Sequence, residues 1–304
     1  MINFSVRPPS VSVVMPVYNG GRYLVEAIQS LLHQTFLDFE FIIVDDGSTD
    51  QTVETINSFR DKRIVLLKNA VNLGNYPSRN IGMEMARGRY LCVMDADDVA
   101  MPARLERQYK YMEQNPETGI CGSFIQNIPS GICPRFVTDE NLLKVAFLSN
   151  NYCSHPSLII RKEFLNRYQL RYKEDYVYSA DFDLCARGFR HFKVQNIPEV
   201  LLQYRRHAEQ ISTAKFTEQQ MYADAIRIKQ LIENLGFEPD EIRHSLHLNL
   251  MKRERIDVEL KTELEKWIKA IISKNRVRLY YEENVLGGFL GSLSDFCLRK
   301  ACKQ

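Results

Sequence analysis

Asp95-Ala96-Asp97-Asp98 places three carboxylates within four residues, directly behind the apolar run Tyr90 to Met94. Like charges this close repel and raise one another's pKa, so such a cluster is stable mainly where a cation or hydrogen-bond donors sit among the acids. A divalent metal carrying phosphates is the chemistry this pattern suggests. The other reading is a solvated acidic loop that caps the next helix, and from so short a motif both stay open.

The elements that must position these acids repeat. Val11 to Met15 reads as a strand stopped by Pro16, and Tyr23, Leu24, Ala27, Ile28, Leu31 and Leu32 follow at helical spacing. Phe39 to Val44 is a second strand, closed by Asp45-Asp46-Gly47-Ser48, with a helix through Val53, Ile56 and Phe59 behind it. Arg63 to Leu67 is a third, and a helix over Ser78 to Arg87 leads through Gly88 into the central run. Strands alternating with helices of this length predict an α/β chain with a parallel sheet, whose ligands bind beyond the strands' carboxyl ends. Three polar clusters fall there: Pro16 to Gly20, Asp45 to Ser48 and Asp95 to Asp98.

Further on the pattern loosens. Strands are expected over Gly119–Gln126, Ser157–Ile160, Phe192–Gln195 and Val200–Tyr204, and helices over Glu140–Leu148 and Asp181–Phe189. From Thr217 the pattern is helical, with Met221, Ala225, Ile228, Ile232 and Leu235 on one face and Leu260, Leu264, Trp267, Ile268 and Ile271 on another. A boundary near residue 212 follows: 1–212 as the α/β domain and 213–304 as a helical region.

Composition narrows the class. At 304 residues and 45% apolar there is enough material for a large core, and a formal charge of +2 supplies no global field for nucleic acid. Seven cysteines without paired spacing read as reduced core thiols, with neither a disulfide frame nor a zinc site. No stretch approaches the roughly 18 apolar residues of a membrane span, and Met1 to Pro9 has no apolar core behind a basic start, so a cytoplasmic chain is expected.

Seven segments in order resemble family 2 glycosyltransferases of the GT-A fold, the group that builds polysaccharides and lipopolysaccharide from nucleotide sugars. They are Val13 to Asn19, Ser30 to Thr35, Val44 to Asp50, Ser78 to Gly82, Met94 to Asp98 with Pro102 to Leu105, Ala180 to Leu184, and Tyr204 to His207. They cover about residues 10 to 210. The resemblance implies a metal-dependent inverting transferase with a nucleoside-diphosphate sugar as donor, most often UDP-linked, and a hydroxyl of a glycan or lipid-linked acceptor. Asp97 would hold Mn²⁺ or Mg²⁺ on the diphosphate, hard cations suited to carboxylate and phosphate oxygens. Asp95 with Ala96 would face the ribose; Asp45 and Asp46 would accept from base and ribose; Pro16, Val17, Tyr18 and Asn19 would line the base; Arg79 would pair with diphosphate or base. His207 would ligate the metal or donate to a phosphate, and Arg205 or Arg206 would hold the diphosphate.

Inversion also needs a base for the acceptor hydroxyl, and the resemblance assigns it to Asp181. Relatives carry Glu before that acid; this chain has Ala180 there, which bears on acceptor binding in a pocket that His155 also shapes. The departure keeps open a catalytically silent nucleotide-sugar-binding or scaffold protein on the same fold. A nucleotidyltransferase would need a fuller glycine-rich signature than Gly20-Gly21-Arg22. The tail from Lys269 holds seven Lys/Arg against three acids, with Val285, Phe289, Leu293 and Phe296 at helical spacing and Arg299, Lys300 and Lys303 at its end. Two uses fit: a face laid on an anionic membrane, or packing on the catalytic domain or in a homo-oligomer.

Overall fold

The computed structural model describes residues 7–134 and 136–301; Lys303 lies outside them. Eight strands form one sheet: β1 (Val11–Val17), β2 (Phe39–Asp45), β3 (Ile64–Lys68), β4 (Tyr90–Val93), β5 (Val99–Ala100), β6 (Thr118–Ile128), β7 (Ile159–Arg161) and β8 (Lys193–Arg205). Their order is β3-β2-β1-β4-β7-β6-β8-β5. Pairs β3/β2, β2/β1, β1/β4 and β6/β8 are parallel, while β7 and β5 run against their neighbours, which makes the sheet mostly parallel. β1 and β2 are buried along their whole length, the reason they read as largely apolar runs; Ser12 and Glu40 within them satisfy each other at 2.6 Å.

Register levels the site. Val17 pairs with Asp45, and Val14 pairs with both Ile42 and Val93, so the loops after β1, β2 and β4 leave the sheet at one edge. Gly82 lets the Asn75–Met85 helix lie close on that edge, since a Cβ there would come 2.5 Å from Val14 Cγ1. The two strands expected around Pro198 are one strand with register shifts opposite Ser123 to Ile125. A bulge absorbs the residue that cannot donate to the ladder.

The chain forms two compact units. One holds the sheet and comprises the chain up to Phe136 with Cys153–Ala214; the other comprises Val137–Tyr152 and the chain from Lys215. The division departs from a single cut at 212, because the Glu140–Ala146 helix brings Val145 into the same core as Leu231, Leu264, Trp267 and Ile271. Sequence distance carries no information on this exchange. Within the helical unit the faces also differ from expectation. Met221 is 69% exposed, while Ala223, Ile226 and Arg227 turn inward ahead of a π-helical turn at Leu231–Leu235 that shifts the helical phase. The Glu283–Ala301 helix buries Leu286, Leu290, Leu293 and Cys297 in the core of its own unit; of the expected face Leu293 is buried, Val285 and Phe289 are partly buried against that core, and Phe296 is 45% exposed. No helix among the described residues is long and apolar enough to cross a membrane.

Candidate active site

Where β4 ends, its carbonyls lose their strand partners, and two buried arginines supply donors. Arg79 is 0% exposed; its guanidinium donates to the carbonyls of Val14 (3.2 Å) and Met94 (3.1 Å), to Asn75 Oδ1 (3.1 Å) and to Asp95 Oδ1 (2.6 Å). Arg104 donates to the carbonyls of Val93 and Pro156, each at 2.7 Å, which ties the β4 end to the segment bearing His155. Arg79, expected at the diphosphate or base, therefore lies behind the site as a brace for Asp95.

Asp95, Asp97 and Asp98 follow. One oxygen from each lies within 4.8 Å of the others. Asp98 is 1% exposed; its Oδ1 accepts from the Arg205 backbone N–H at 2.8 Å, and its Oδ2 is buried without a hydrogen-bond partner. Burial pushes the Asp98 carboxyl well above the usual carboxylate range, and the Asp97 and Asp95 charges push it further. Burial and Asp95 likewise raise Asp97, opposed by a hydrogen bond from His207. A buried carboxylate oxygen with no donor, in a trio of crowded acids, is a donor set that fits a hard divalent cation. Asp98 belongs to this set; the sequence counted it in the acidic cluster and gave it no role of its own.

His207 and the two arginines are placed unevenly. His207 Nε2 lies 2.9 Å from Asp97 Oδ2, which makes it a partner of Asp97 outside the carboxylate trio. Arg205 is used within the protein: Nε donates to the Asp97 carbonyl at 2.7 Å, Nη2 meets Glu26 at 2.5 Å, and the guanidinium covers the Tyr23 ring at 4.4 Å. These contacts brace the acidic loop. Arg206 is exposed, with its guanidinium over Tyr204.

The base-lining segment is built as a loop clamp. Asn19 adopts a left-handed φ of 48° and exchanges bonds with the next strand's loop: its N–H donates to Ser48 Oγ (2.9 Å) and its Oδ1 accepts from the Thr49 N–H (2.9 Å). Pro16 and Val17 belong to buried β1, and Tyr18 is 49% exposed. Asp45 accepts from the Ser48 N–H at 3.2 Å. Asp46, 3% exposed, accepts from Asn69 Nδ2 (2.8 Å) and from the N–H groups of Leu73 (2.9 Å) and Gly74 (2.8 Å). Its Oδ1 accepts twice and its Oδ2 once, so Asp46 holds the 69–74 loop. Ala96 packs against the core.

Asp181 sits in the first turn of the Ala180–Gly188 helix, behind fully buried Ala180. Its Oδ1 accepts from Tyr76 Oη at 2.7 Å. Tyr76 stacks on Tyr172 at 5.2 Å, and Tyr172 Oη is 2.9 Å from His155 Nε2. Burial and Arg79 push the His155 pKa down, against Asp181 and Asp95. Asp183 pairs with Arg187 at 2.6 Å on the same helix. Tyr76 and Arg79 lie three residues apart, on one helical face, so one helix grips both Asp181 and Asp95. No motif pointed to Tyr76 or Tyr172; an aromatic two residues into a helix is ordinary packing until its partner is known.

The chain is similar to known proteins. An uncharacterized glycosyltransferase of Methanocaldococcus jannaschii is 36% identical over 71% of this chain and 77% of its own length. The Escherichia coli UDP-Glc:alpha-D-GlcNAc-diphosphoundecaprenol beta-1,3-glucosyltransferase WfaP is 26% identical over 74% of this chain and 86% of its own. In fold, the crystal structure of Staphylococcus aureus TarS 1-349 in complex with UDP matches 96% of this chain and 89% of that one, at a TM-score of 0.59 and 17% identity. The α/β sheet with its polar carboxyl edge is thus a GT-A architecture. Residues 12–168, from β1 past β7, match the model of glycosyl transferase family 2, and with the Methanocaldococcus relative this makes the chain a member of that family and a glycosyltransferase.

Proposed function

We propose that the chain is a metal-dependent inverting transferase that moves a sugar from a UDP-sugar to a hydroxyl of a glycan or lipid-linked acceptor. One observation carries this reading: the Asn75–Met85 helix bonds Asp95 of the acid trio through Arg79 and Asp181 through Tyr76, at 2.6 and 2.7 Å. That pairs a cation-holding end with a proton-accepting end. Asp97, with Asp95 and Asp98, would hold Mn²⁺ or Mg²⁺, whose charge neutralises the departing diphosphate. Asp181 takes the acceptor proton as the acceptor oxygen attacks C1 and the bond from C1 to the diphosphate breaks. The loop clamped by Asn19 and Asp46 forms the floor for base and ribose, Asp45 accepts from the nucleoside, and Arg206 is the exposed cation for the diphosphate. His155 and Ala180 shape the far wall.

WfaP supports the donor and acceptor classes, since its name gives a UDP-sugar and a diphosphoundecaprenol acceptor. A lipid-linked acceptor would bring the chain to a membrane surface, with the helical unit left for acceptor, subunit or membrane contact. Calorimetric titration with UDP, GDP and dTDP, each with Mn²⁺ and with EDTA, tests the donor site. Metal-dependent binding of UDP that Asp97→Ala removes is the expected result. Binding of none of the three, with or without metal, would end the reading.

A further inference from the structure

We infer that Tyr76 is a positioning residue for Asp181, its hydroxyl fixing one oxygen of the carboxylate that takes the acceptor's proton. The inference rests on the reading of Asp181 as the base. Tyr76 is 7% exposed and held on several sides: stacked on Tyr172 at 5.2 Å, edge-on to His155 at 5.9 Å, and seated in the first turn of its helix. Tyr172 is itself strapped to that helix, its N–H donating to Asn80 Oδ1 at 3.2 Å and its carbonyl accepting from Asn80 Nδ2 at 2.9 Å. The phenol therefore presents its O–H from a fixed direction, and the 2.7 Å bond to Asp181 Oδ1 transmits that direction to the carboxylate.

The charge state is equally fixed. Burial and the Asp181 charge push the Tyr76 pKa well above its ordinary value, so the hydroxyl remains a donor throughout the working range. Titratable groups that act with Asp181 include Tyr172, His155, Cys153 and, on its own helix, Cys185. Burial holds each toward its neutral form: the phenol and thiols are pushed up and the imidazole down. Arg79 and Asp95 act from farther off, through their influence on His155. Tyr76 therefore retains its own proton and holds the Asp181 carboxylate in one direction. During transfer the proton moves from acceptor oxygen to Asp181, and the phenol changes only the strength of its bond.

The test is proton NMR of the full chain. A slowly exchanging tyrosine hydroxyl proton is expected in the wild type, lost in Asp181→Asn and kept in Tyr172→Phe, whose hydroxyl bonds His155; this readout does not depend on the folding of Tyr76→Phe. With UDP-glucose as probe, turnover by Tyr76→Phe falls about 10- to 100-fold at little cost in KM. A hydroxyl signal indifferent to Asp181→Asn, or unchanged turnover by Tyr76→Phe, overturns the inference. Wild-type protein without turnover on any nucleotide sugar overturns the proposed function instead, and the hydroxyl signal still decides the contact.

Discussion

Replacing Arg79 by Met separates two accounts of this residue by their size. If the guanidinium met the diphosphate, its loss would leave folding intact and weaken nucleotide binding. The structure gives it other work: the carbonyls of Val14, midway along β1, and Met94, just past β4, with Asn75 and Asp95. Each carbonyl bond contributes about 1 kcal/mol, and unpairing a partly buried partner adds about as much again or more. Asp95 is 26% exposed, so water recovers part of its share, and the sum is a loss of about 3–4 kcal/mol. Arg79→Lys recovers less than half, because one ammonium cannot span the fork between carbonyls and carboxylate. Urea denaturation followed by far-ultraviolet circular dichroism is the assay; the single tryptophan, Trp267, lies in the helical unit and does not follow the sheet. A loss below about 1 kcal/mol with UDP affinity down more than about tenfold would refute the brace and restore the ligand contact.

Other tests follow from single sites. Asp181→Asn abolishes transfer while UDP affinity, measured by calorimetry, stays near wild type, since the base touches no part of the nucleotide in the proposed scheme. Gly47→Ala weakens UDP binding and lowers the melting temperature, for φ is +75° and the new Cβ would stand 2.8 Å from the Val71 carbonyl carbon, costing about 1–3 kcal/mol. His247 is fully buried against Trp267, and desolvation, Arg227 and His244 push its pKa down to about 3. The unfolded chain therefore binds a proton that the folded chain refuses between roughly pH 6.5 and that value, and stability falls as pH drops through this window by up to about 1.4 kcal/mol per unit. Trp267 fluorescence in urea at pH 7 and pH 5 reads the slope, and His247→Leu removes it; an identical slope in the variant would assign it to other groups.

Most of the sheet was legible because the signals are local. Buried parallel strands are continuous apolar runs, helix faces repeat every three or four residues, and Asp-rich, Asn-rich and Gly-rich turns mark the strand ends, so β1 to β4 and their polar edge follow from neighbouring residues alone. The family motifs likewise pointed to Asp97, which stands in the acidic trio, and to Asp181, which meets Tyr76. Other features had no local signature. Two-residue β5 carries no period, Pro198 hid the continuity of β8, and the π-helical turn at Leu231 rotated a face that ideal helical spacing had assigned to Met221.

Side-chain roles divided by the same rule. An Arg, Asp or Tyr in a motif shows what it can bond, and only packing decides what it does bond. Arg79 and Arg205, expected at a diphosphate, bond the carbonyls of Val14, Met94 and Asp97; Asp46, expected at a base or ribose, accepts from Leu73 and Gly74; Tyr76 had no motif and meets Asp181, 105 residues away. The exchange of Val137–Tyr152 into the helical unit is of this kind as well. Sequence alone determined the order of elements, the edge where chemistry gathers and the residue types present there. The tertiary structure decided which donor meets which acceptor, because buried hydrogen bonds are settled by distance and direction in space, and neither is a function of spacing along the chain.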